Sequence, residues 1–215
     1  MGKIFEKIDE RFDLRSPHKS FLRRNIPDNL SYLYCFGGVA FTLLLLLVLT
    51  GMLMSFYYVP SETEAFRSVL TVTREVKFGS VIRGMHRWSA NLLIPVLLIH
   101  TLRVFLQKAY RPPRELNWIA GSLTLLLAFS SGFTGYLLPW NQKAYWATVV
   151  GTNMASTVPG LGSFFLYLIR GGPDVTGATL LRFYSLHVIW LPAAMALVLW
   201  VHFHMIKRKG VTGGL

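Results

Sequence analysis

Four of the six histidines, all within apolar stretches, are spaced in two similar pairs. His86 and His100 are 14 residues apart, and His187 and His202 are 15 residues apart. On an α-helix, 14 residues rise about 21 Å and complete close to a whole number of turns, so the first two histidines share one face. At ~100° per residue, the 15-residue spacing exceeds a whole number of helical turns by about 60°, so His187 and His202 would not share one face of a regular helix. We expect a local kink near Pro192 to correct this rotation.

Two imidazoles that face each other across a helical bundle can bind one heme iron from both sides. One predicted span lies between the two histidine-bearing helices along the chain, so these two helices cross the membrane in the same direction. His86 is then at the same depth as His187, and His100 is at the same depth as His202. Two axial imidazoles leave no open coordination position, which favours electron transfer over oxygen chemistry. The alternatives are histidines that only hydrogen-bond across helices and zinc, although each level offers only two nitrogen ligands. His204 faces another side of its helix, so we predict His202 as the ligand.

Glycines repeat with the same period on the two other predicted spans. Gly37 and Gly51 are 14 residues apart, as are Gly121 and Gly135. A porphyrin wedged among four helices needs bare backbone where it presses against its neighbours. Close helix packing through small residues is the alternative explanation for any one pair. The shared period favours heme contact for all four glycines.

Heme propionates are anions, and arginines near the two histidine levels could bind them. The lipid headgroup region offers these side chains an alternative partner. The candidates are Arg83 and Arg87 at the outer level and Arg103 and Arg114 at the inner level.

The elements that position these residues are predicted to be membrane-spanning helices. The chain has 215 residues, of which 53% are hydrophobic, and four long stretches lack Asp and Glu. Each stretch supplies the roughly 20 apolar residues that one span requires. We therefore predict an all-α integral membrane four-helix bundle with two b hemes in its core. Its helices A to D run over about 31–58, 79–108, 116–138 and 178–206.

The segments outside the spans are predicted to lie at the membrane surface. Residues 1–31 mix apolar and charged residues and are predicted to form an amphipathic surface segment, followed by a four-helix diheme domain over 32–215. Residues 60–77 are predicted to be a polar loop. Residues 140–177 contain Gly and Pro breaks but stay apolar, which predicts short interfacial helices, one of them including 164–169.

The formal net charge of +12 comes mostly from residues that flank the spans. Such flanking charge sets membrane topology and does not favour nucleic-acid binding. With four spans, both termini lie on one side, which collects 14 of the 22 Lys and Arg. The positive-inside rule makes that side cytoplasmic or stromal. The membrane is that of a bacterial cell or a thylakoid.

Six sequence stretches resemble cytochrome b6, the short, split form of the cytochrome b of quinol:cytochrome c reductases. Two surround the histidines of helix B, and two lie on helix C. The last two end at His187 and begin at His202. The stretches are RGMHRWSAN at 83–91, HTLRVF at 100–105, PRELNW at 113–118, GFTGYLLPW at 132–140, LRFYSLH at 181–187 and HFHMIKRKG at 202–210.

The resemblance implies roles for the cofactors. His86 and His187 would hold an outer, low-potential heme, and His100 and His202 an inner, high-potential one. The stretch YCFGG at 34–38 implies that Cys35, the single cysteine, carries a heme c through one thioether bond at the inner quinone site. The chain has no C-x-x-C-H motif, so sequence chemistry alone leaves an ordinary small buried thiol as the alternative.

The resemblance also implies a place in a complex that translocates protons. Quinol would be oxidised at the outer face, between residues 140–170 and a companion subunit IV-like chain. One electron would pass to a Rieske iron–sulfur protein and then to a c-type cytochrome or plastocyanin-like acceptor, and the other would cross this chain to an inner quinone site. The Pro-Glu-Trp-Tyr motif of quinol oxidation is absent here, so the chain is not expected to be active alone. The complex is expected to be dimeric.

Two other functions are compatible with the residues. A diheme, quinone-linked subunit could feed a multiheme cytochrome without a Rieske protein, and a non-redox transporter or structural bundle would contain no heme. One departure from the family bears on the outer site, because Asn141 stands where many relatives have Asp. We therefore assign no proton-transfer role at that position.

Overall fold

The computed structural model describes residues 32–209, and four long helical segments dominate that part of the chain. Each of the four is long and apolar enough to cross a membrane. The prediction of an all-α, multi-pass membrane protein is confirmed, whereas the predicted surface segment 1–31 lies outside the described residues. The segments are α1 (Phe36–Ser55) after a 3-10 turn (Tyr32–Cys35), α3 (Gly79–Leu106), α4 (Glu115–Leu137), and a composite of α7 (Gly177–Ser185), a π turn (Leu186–Trp190) and α8 (Leu191–Lys209).

Three shorter helices connect the long ones at one end of the bundle. The prediction of short helices after residue 140 is confirmed by α5 (Gln142–Ser156) and α6 (Gly162–Arg170). The prediction that 60–77 is a loop throughout was wrong, because α2 (Ala65–Arg74) lies within it. This helix is amphipathic, and it buries Ala65, Ser68 and Val72 on one side.

The long helices pack as two pairs, with α1 against α3 and α4 against α8. Close backbone approaches between α3 and α8 are few within the described residues, so these two histidine-bearing helices face each other across the interior. Each long segment contributes one residue to a buried apolar layer of Ala40, Leu93, Ala128 and Met195. Leu93 is seven residues from both His86 and His100, so this layer lies between the two histidine levels.

The 15-residue spacing between His187 and His202 is accommodated by a π turn. Within Leu186–Trp190, the helical turn contains one extra residue. The Leu191 N–H donates to the Leu186 carbonyl, five residues earlier, and not to the carbonyl four residues earlier as in an α-helix. A π turn inserts one extra residue into a helix, so the 15-residue spacing behaves like the 14-residue spacing on α3. The adjustment ends immediately before Pro192, whose missing N–H already interrupts the helical hydrogen-bond ladder.

A buried cluster joins the short helices to the ends of the long ones. Its core consists of Ala65, Leu137, Val175, Leu180 and Phe183. The Tyr58 hydroxyl donates to the Leu138 carbonyl at 2.7 Å, which ties the end of α1 to the end of α4. Burial raises the pKa of the Tyr58 phenol above its ordinary value, so the hydroxyl keeps its proton and remains a donor.

Arg170 holds α5, α6 and the chain before α7 together. Its side chain is buried and donates to neutral oxygens. These acceptors are the Thr152 hydroxyl at 2.7 Å, the Pro173 carbonyl at 2.6 Å, the Val149 carbonyl at 2.9 Å and the Asn153 side-chain oxygen at 2.8 Å. A buried guanidinium is costly unless its donors are satisfied, so this arginine specifies how the short helices meet.

Asn141 begins α5 as its N-cap. The side-chain oxygen accepts a hydrogen bond from the Ala144 N–H at 2.9 Å. This is the usual role of a short polar side chain before the first turn of a helix. An amide performs it without a titratable group.

Candidate functional site

The structure brings His86 and His187 together across the bundle interior. Their ring centroids are 6.2 Å apart and their planes are inclined by 72°. A metal ion bonded to one nitrogen of each ring at about 2 Å needs a centroid separation of roughly 6 Å. The outer pair therefore has the separation that two imidazoles would need to hold one iron between them.

His100 and His202 form a second level nearer the N-terminal end of α1. His100 lies against Gly37 of α1, and His202 lies against Gly121 of α4. His204 is separate from them, because its ring stacks on Trp200 with centroids 5.8 Å apart and planes 29° apart. The inner level therefore consists of one histidine from α3 and one from α8.

Each of the four predicted glycines faces one of these histidines. A Cβ on Gly37 would lie 2.9 Å from Cε1 of His100, and one on Gly121 would lie 3.2 Å from Cε1 of His202. At the outer level, the distance is 3.3 Å from Gly51 to His86 and 2.5 Å from Gly135 to His187. The bare backbone thus makes room for an imidazole ring. Contact of these glycines with porphyrin, which the spacing predicts, stays a prediction.

Close approach lets the imidazole Nδ1 atoms reach acceptors on the facing helix. Nδ1 of His187 lies 2.9 Å from the Ser131 carbonyl, and Nδ1 of His202 lies 3.2 Å from the Asn117 carbonyl. A carbonyl can only accept, so each of these Nδ1 atoms carries the proton. Nε2 is then the bare nitrogen that is available to a metal, which is the usual arrangement for a metal-binding histidine.

His86 has a hydroxyl next to its Nδ1, which sequence reasoning missed. Its Nδ1 lies 2.9 Å from Oγ1 of Thr50, a buried residue of α1. The signal that could have indicated this is a Thr-Gly dipeptide that recurs within two of the predicted spans, at 50–51 and 134–135. Thr134 also lies near its histidine, with Oγ1 at 3.5 Å from Nδ1 of His187.

The predicted propionate-binding arginines have different surroundings. Arg83 is half-buried and donates to the Thr73 hydroxyl at 3.3 Å, whereas Arg87 is exposed. Arg103 lies over the Tyr34 ring at 4.4 Å and donates to the Gln107 side chain at 3.3 Å. Arg114 is half-buried at the N-cap of α4.

The inner level also contains buried polar atoms that lack hydrogen-bond partners. They include Nδ1 of His100, Nε of Arg103 and Oδ1 of Asn117. Buried polar atoms are usually paired, so their concentration around His100 and His202 indicates a site for a group with polar edges. A heme is such a group, because one of its carboxylates could accept a hydrogen bond from the unpartnered Nε of Arg103.

Cys35 lies at the same end of the bundle. It is exposed and ends the 3-10 turn before α1. Its neighbour in the turn, Tyr34, contacts Arg103 three residues beyond His100. The space next to Gly38 is open, because a Cβ there would meet nothing within 4 Å. The thiol is therefore exposed at the end of the bundle that carries the inner histidine level.

A zinc site receives no support from the described part of the chain. Within residues 32–209, no three His, Cys, Asp or Glu side chains converge. Structural zinc requires four protein ligands, whereas a heme brings four nitrogens of its own and needs only two axial ligands. The fold and these residues define a multi-pass membrane protein with a pair of histidines at each of two levels.

Comparison with known proteins gives the family. Residues 21–210 match the family model described as cytochrome b/b6/petB. The chain is 43% identical to the menaquinol:cytochrome c reductase cytochrome b subunit of Bacillus subtilis (strain 168) and 40% identical to cytochrome b6 of Chlamydomonas reinhardtii, with 100% of both chains covered in each case. This chain belongs to the cytochrome b/b6 family, and membership implies two b hemes.

A solved structure is similar to the whole described fold. A chain of a hyperthermophilic respiratory Complex III matches with a TM-score of 0.83 at 28% sequence identity. The match covers 97% of this chain and 56% of that chain. The chain therefore spans just over half the length of this structural relative.

Proposed function

We propose that this chain is the cytochrome b subunit of a quinol:cytochrome c or quinol:plastocyanin reductase. The observation that carries the proposal is the pair of histidine levels, His86 with His187 and His100 with His202, stacked in one membrane bundle. Two hemes at these levels would supply a one-electron relay across the membrane. Quinol gives up electrons at the outer face, and a quinone receives them at the inner face.

The side chains of this bundle hold the relay and separate its two ends. The four histidines would hold the two irons through Nε2, and the apolar layer around Leu93 and Met195 would exclude water between the levels. Electrons can cross such a layer, whereas a bare proton cannot be solvated there. Protons are therefore released and taken up at opposite faces, which couples the reaction to proton translocation.

Partners complete the outer quinol site. We assign that site to the region of α5 and α6, which Arg170 holds in register, together with a subunit IV-like chain that carries the missing Pro-Glu-Trp-Tyr motif. A Rieske protein accepts the first electron, and a c-type cytochrome or plastocyanin-like protein follows it. The complex is dimeric. Both termini lie on the cytoplasmic or stromal side, which the 14 of 22 basic residues at that end support.

Purification of the complex through a tag on this chain tests the proposal. We expect two b-type components in the dithionite-reduced-minus-oxidised spectrum, a co-purified Rieske protein, and reduction of the b-type components by quinol. Parallel assays with menaquinol and plastoquinol analogues identify the donor. No absorbance in the b-heme region would contradict any heme function, and a multiheme cytochrome without an iron–sulfur protein would favour the alternative assembly.

We further propose a heme c attached through Cys35. The exposed thiol, the open space beside Gly38 and the unpartnered polar atoms near His100 support this assignment. A thiol in this position can add across a vinyl group, which forms one thioether bond and moves the thiol hydrogen to the vinyl carbon. The chain offers no further histidine facing this position within the described residues, so one face of this heme stays open to ligands.

Cys35→Ser tests the covalent attachment by denaturing electrophoresis. We expect heme-linked peroxidase staining on the wild-type chain after acid–acetone extraction, because a thioether survives that treatment and axial ligation does not. The variant loses the stain and keeps both b-type components. The control variant Gly132→Ala adds a methyl group in open space near the outer level, away from Cys35, and should keep the stain. An unstained wild-type chain would make Cys35 an ordinary thiol.

A further inference from the structure

The outer and inner histidines differ in the hydrogen bonds that their Nδ1 atoms make. Both outer histidines have a partner at 2.9 Å, which is the Thr50 hydroxyl for His86 and the Ser131 carbonyl for His187. At the inner level, His202 has a longer bond of 3.2 Å, and Nδ1 of His100 has none. The outer imidazoles are therefore the stronger hydrogen-bond donors.

The helix geometry explains this difference. At Gly135 and Gly121, the acceptor is the carbonyl four residues earlier, Ser131 or Asn117. Four residues before Gly37, the chain is still in the 3-10 turn that precedes α1. A 3-10 turn directs its carbonyls differently from an α-helix. His100, the inner histidine of α3, therefore faces Gly37, and of the four glycines only Gly37 is not preceded by an α-helical turn.

Thr50 determines the direction of the hydrogen bond at His86. A hydroxyl has one proton, and the nearest acceptor to Oγ1 of Thr50 is the Leu46 carbonyl at 2.5 Å. With that proton engaged, Oγ1 accepts from His86 at 2.9 Å. The result is a relay in which Nδ1–H donates to Thr50 and Thr50 donates to Leu46. Thr50 thus holds His86 in the tautomer that leaves Nε2 free.

We propose that Thr50 is a positioning residue that lowers the reduction potential of the outer heme, an inference that rests on the proposed function. A hydrogen bond from Nδ1–H makes the imidazole a better electron donor to its metal. A more strongly donating ligand stabilises ferric over ferrous iron, and hydrogen bonding around axial ligands is one of the means by which proteins set heme potentials. The reduction itself adds one electron and breaks no bond.

Redox titration of Thr50→Val tests the inference. We expect the midpoint of the outer heme to rise, up to about a tenfold change in the one-electron equilibrium, or ~59 mV, while the inner midpoint stays unchanged. Thr50→Ala, which removes the hydroxyl without a branched replacement, is measured in parallel and should shift in the same direction. Thr50→Ser keeps the hydroxyl and should restore the wild-type midpoint.

Two matched threonines on α4 serve as controls. Thr134→Val should shift the outer midpoint less, because His187 already donates to Ser131 and the Thr134 hydroxyl is 3.5 Å away. Thr124→Val removes a buried hydroxyl that bonds only the Ala120 carbonyl, and it should leave both midpoints unchanged.

The outcomes separate this inference from the proposed function. A wild-type complex without b-type components would overturn the proposed function and the inference with it. Two titrating components with an unchanged outer midpoint in Thr50→Val and Thr50→Ala would overturn the inference alone. An equal shift in Thr50→Ser, or in Thr124→Val, would show that packing and not the hydroxyl is responsible, which also overturns it.

Discussion

His100→Leu is expected to abolish the inner b heme and leave the outer one in place. Leucine is similar in size to histidine but offers no lone pair, so an inner iron would have only His202 to hold it. The outer pair lies 14 residues away along α3, about 21 Å, and the apolar layer around Leu93 separates the levels. The b-heme content per chain should fall by half, with the high-potential component missing from a redox titration.

His204→Leu is the matched control for the loss of His100. His204 lies on the same helix as His202, but its ring stacks on Trp200, and two residues along an α-helix turn it about 200° away. We expect this variant to keep both hemes with unchanged midpoints. If His204→Leu loses a heme and His202→Leu does not, the assignment of the ligand on α8 is wrong.

Gly135→Val is expected to displace the outer heme. Even a Cβ at this position would lie 2.5 Å from Cε1 and 2.9 Å from Nδ1 of His187, which is closer than any normal contact. The ring cannot yield easily, because its Nδ1 is bonded to Ser131 on the same helix as Gly135. Overpacking of a filled site costs about 1–3 kcal/mol, and here the strain would fall on a proposed iron ligand. The low-potential component should be lost or strongly shifted.

Gly132→Val provides the control on the same helix. A Cβ at Gly132 would meet nothing within 4 Å, so the variant makes the same chemical change without touching His187. We expect both hemes to remain. Gly51→Ala should have a milder effect than Gly135→Ala, because its Cβ would lie 3.3 Å from His86. Equal heme loss in Gly132→Val and Gly135→Val would rule out the contact as the cause.

Hydropathy and residue spacing alone were enough to predict the class of this protein. A lipid bilayer demands long apolar helices, so the four spans could be recognised without any knowledge of their packing. The start of α3 at Gly79 and the end of α4 before Pro139 agree with the sequence to within one residue. The histidine and glycine spacings both reflect the α-helical repeat, which is a local property. They could therefore be recognised from the sequence alone.

Features that depend on contacts between distant segments could not be predicted in this way. The polar composition of 60–77 concealed α2, because that helix is stabilised by burying Ala65 and Val72 against other elements. The π turn at Leu186–Trp190 replaces the kink that the spacing predicted near Pro192. Its position reflects the need to align His187 with His86, which local sequence does not encode.

The sequence by itself determined where the histidines lie along the helices and at what depth, since helical rise and apolar length are local properties. Only the tertiary structure decided which backbone each imidazole meets. That the glycines face histidine rings, that Thr50 accepts from His86 and that His100 lacks a partner all depend on the rotation of one helix against another. Helix rotation is set by packing over the whole interface, to which each residue contributes little, and no single motif records it.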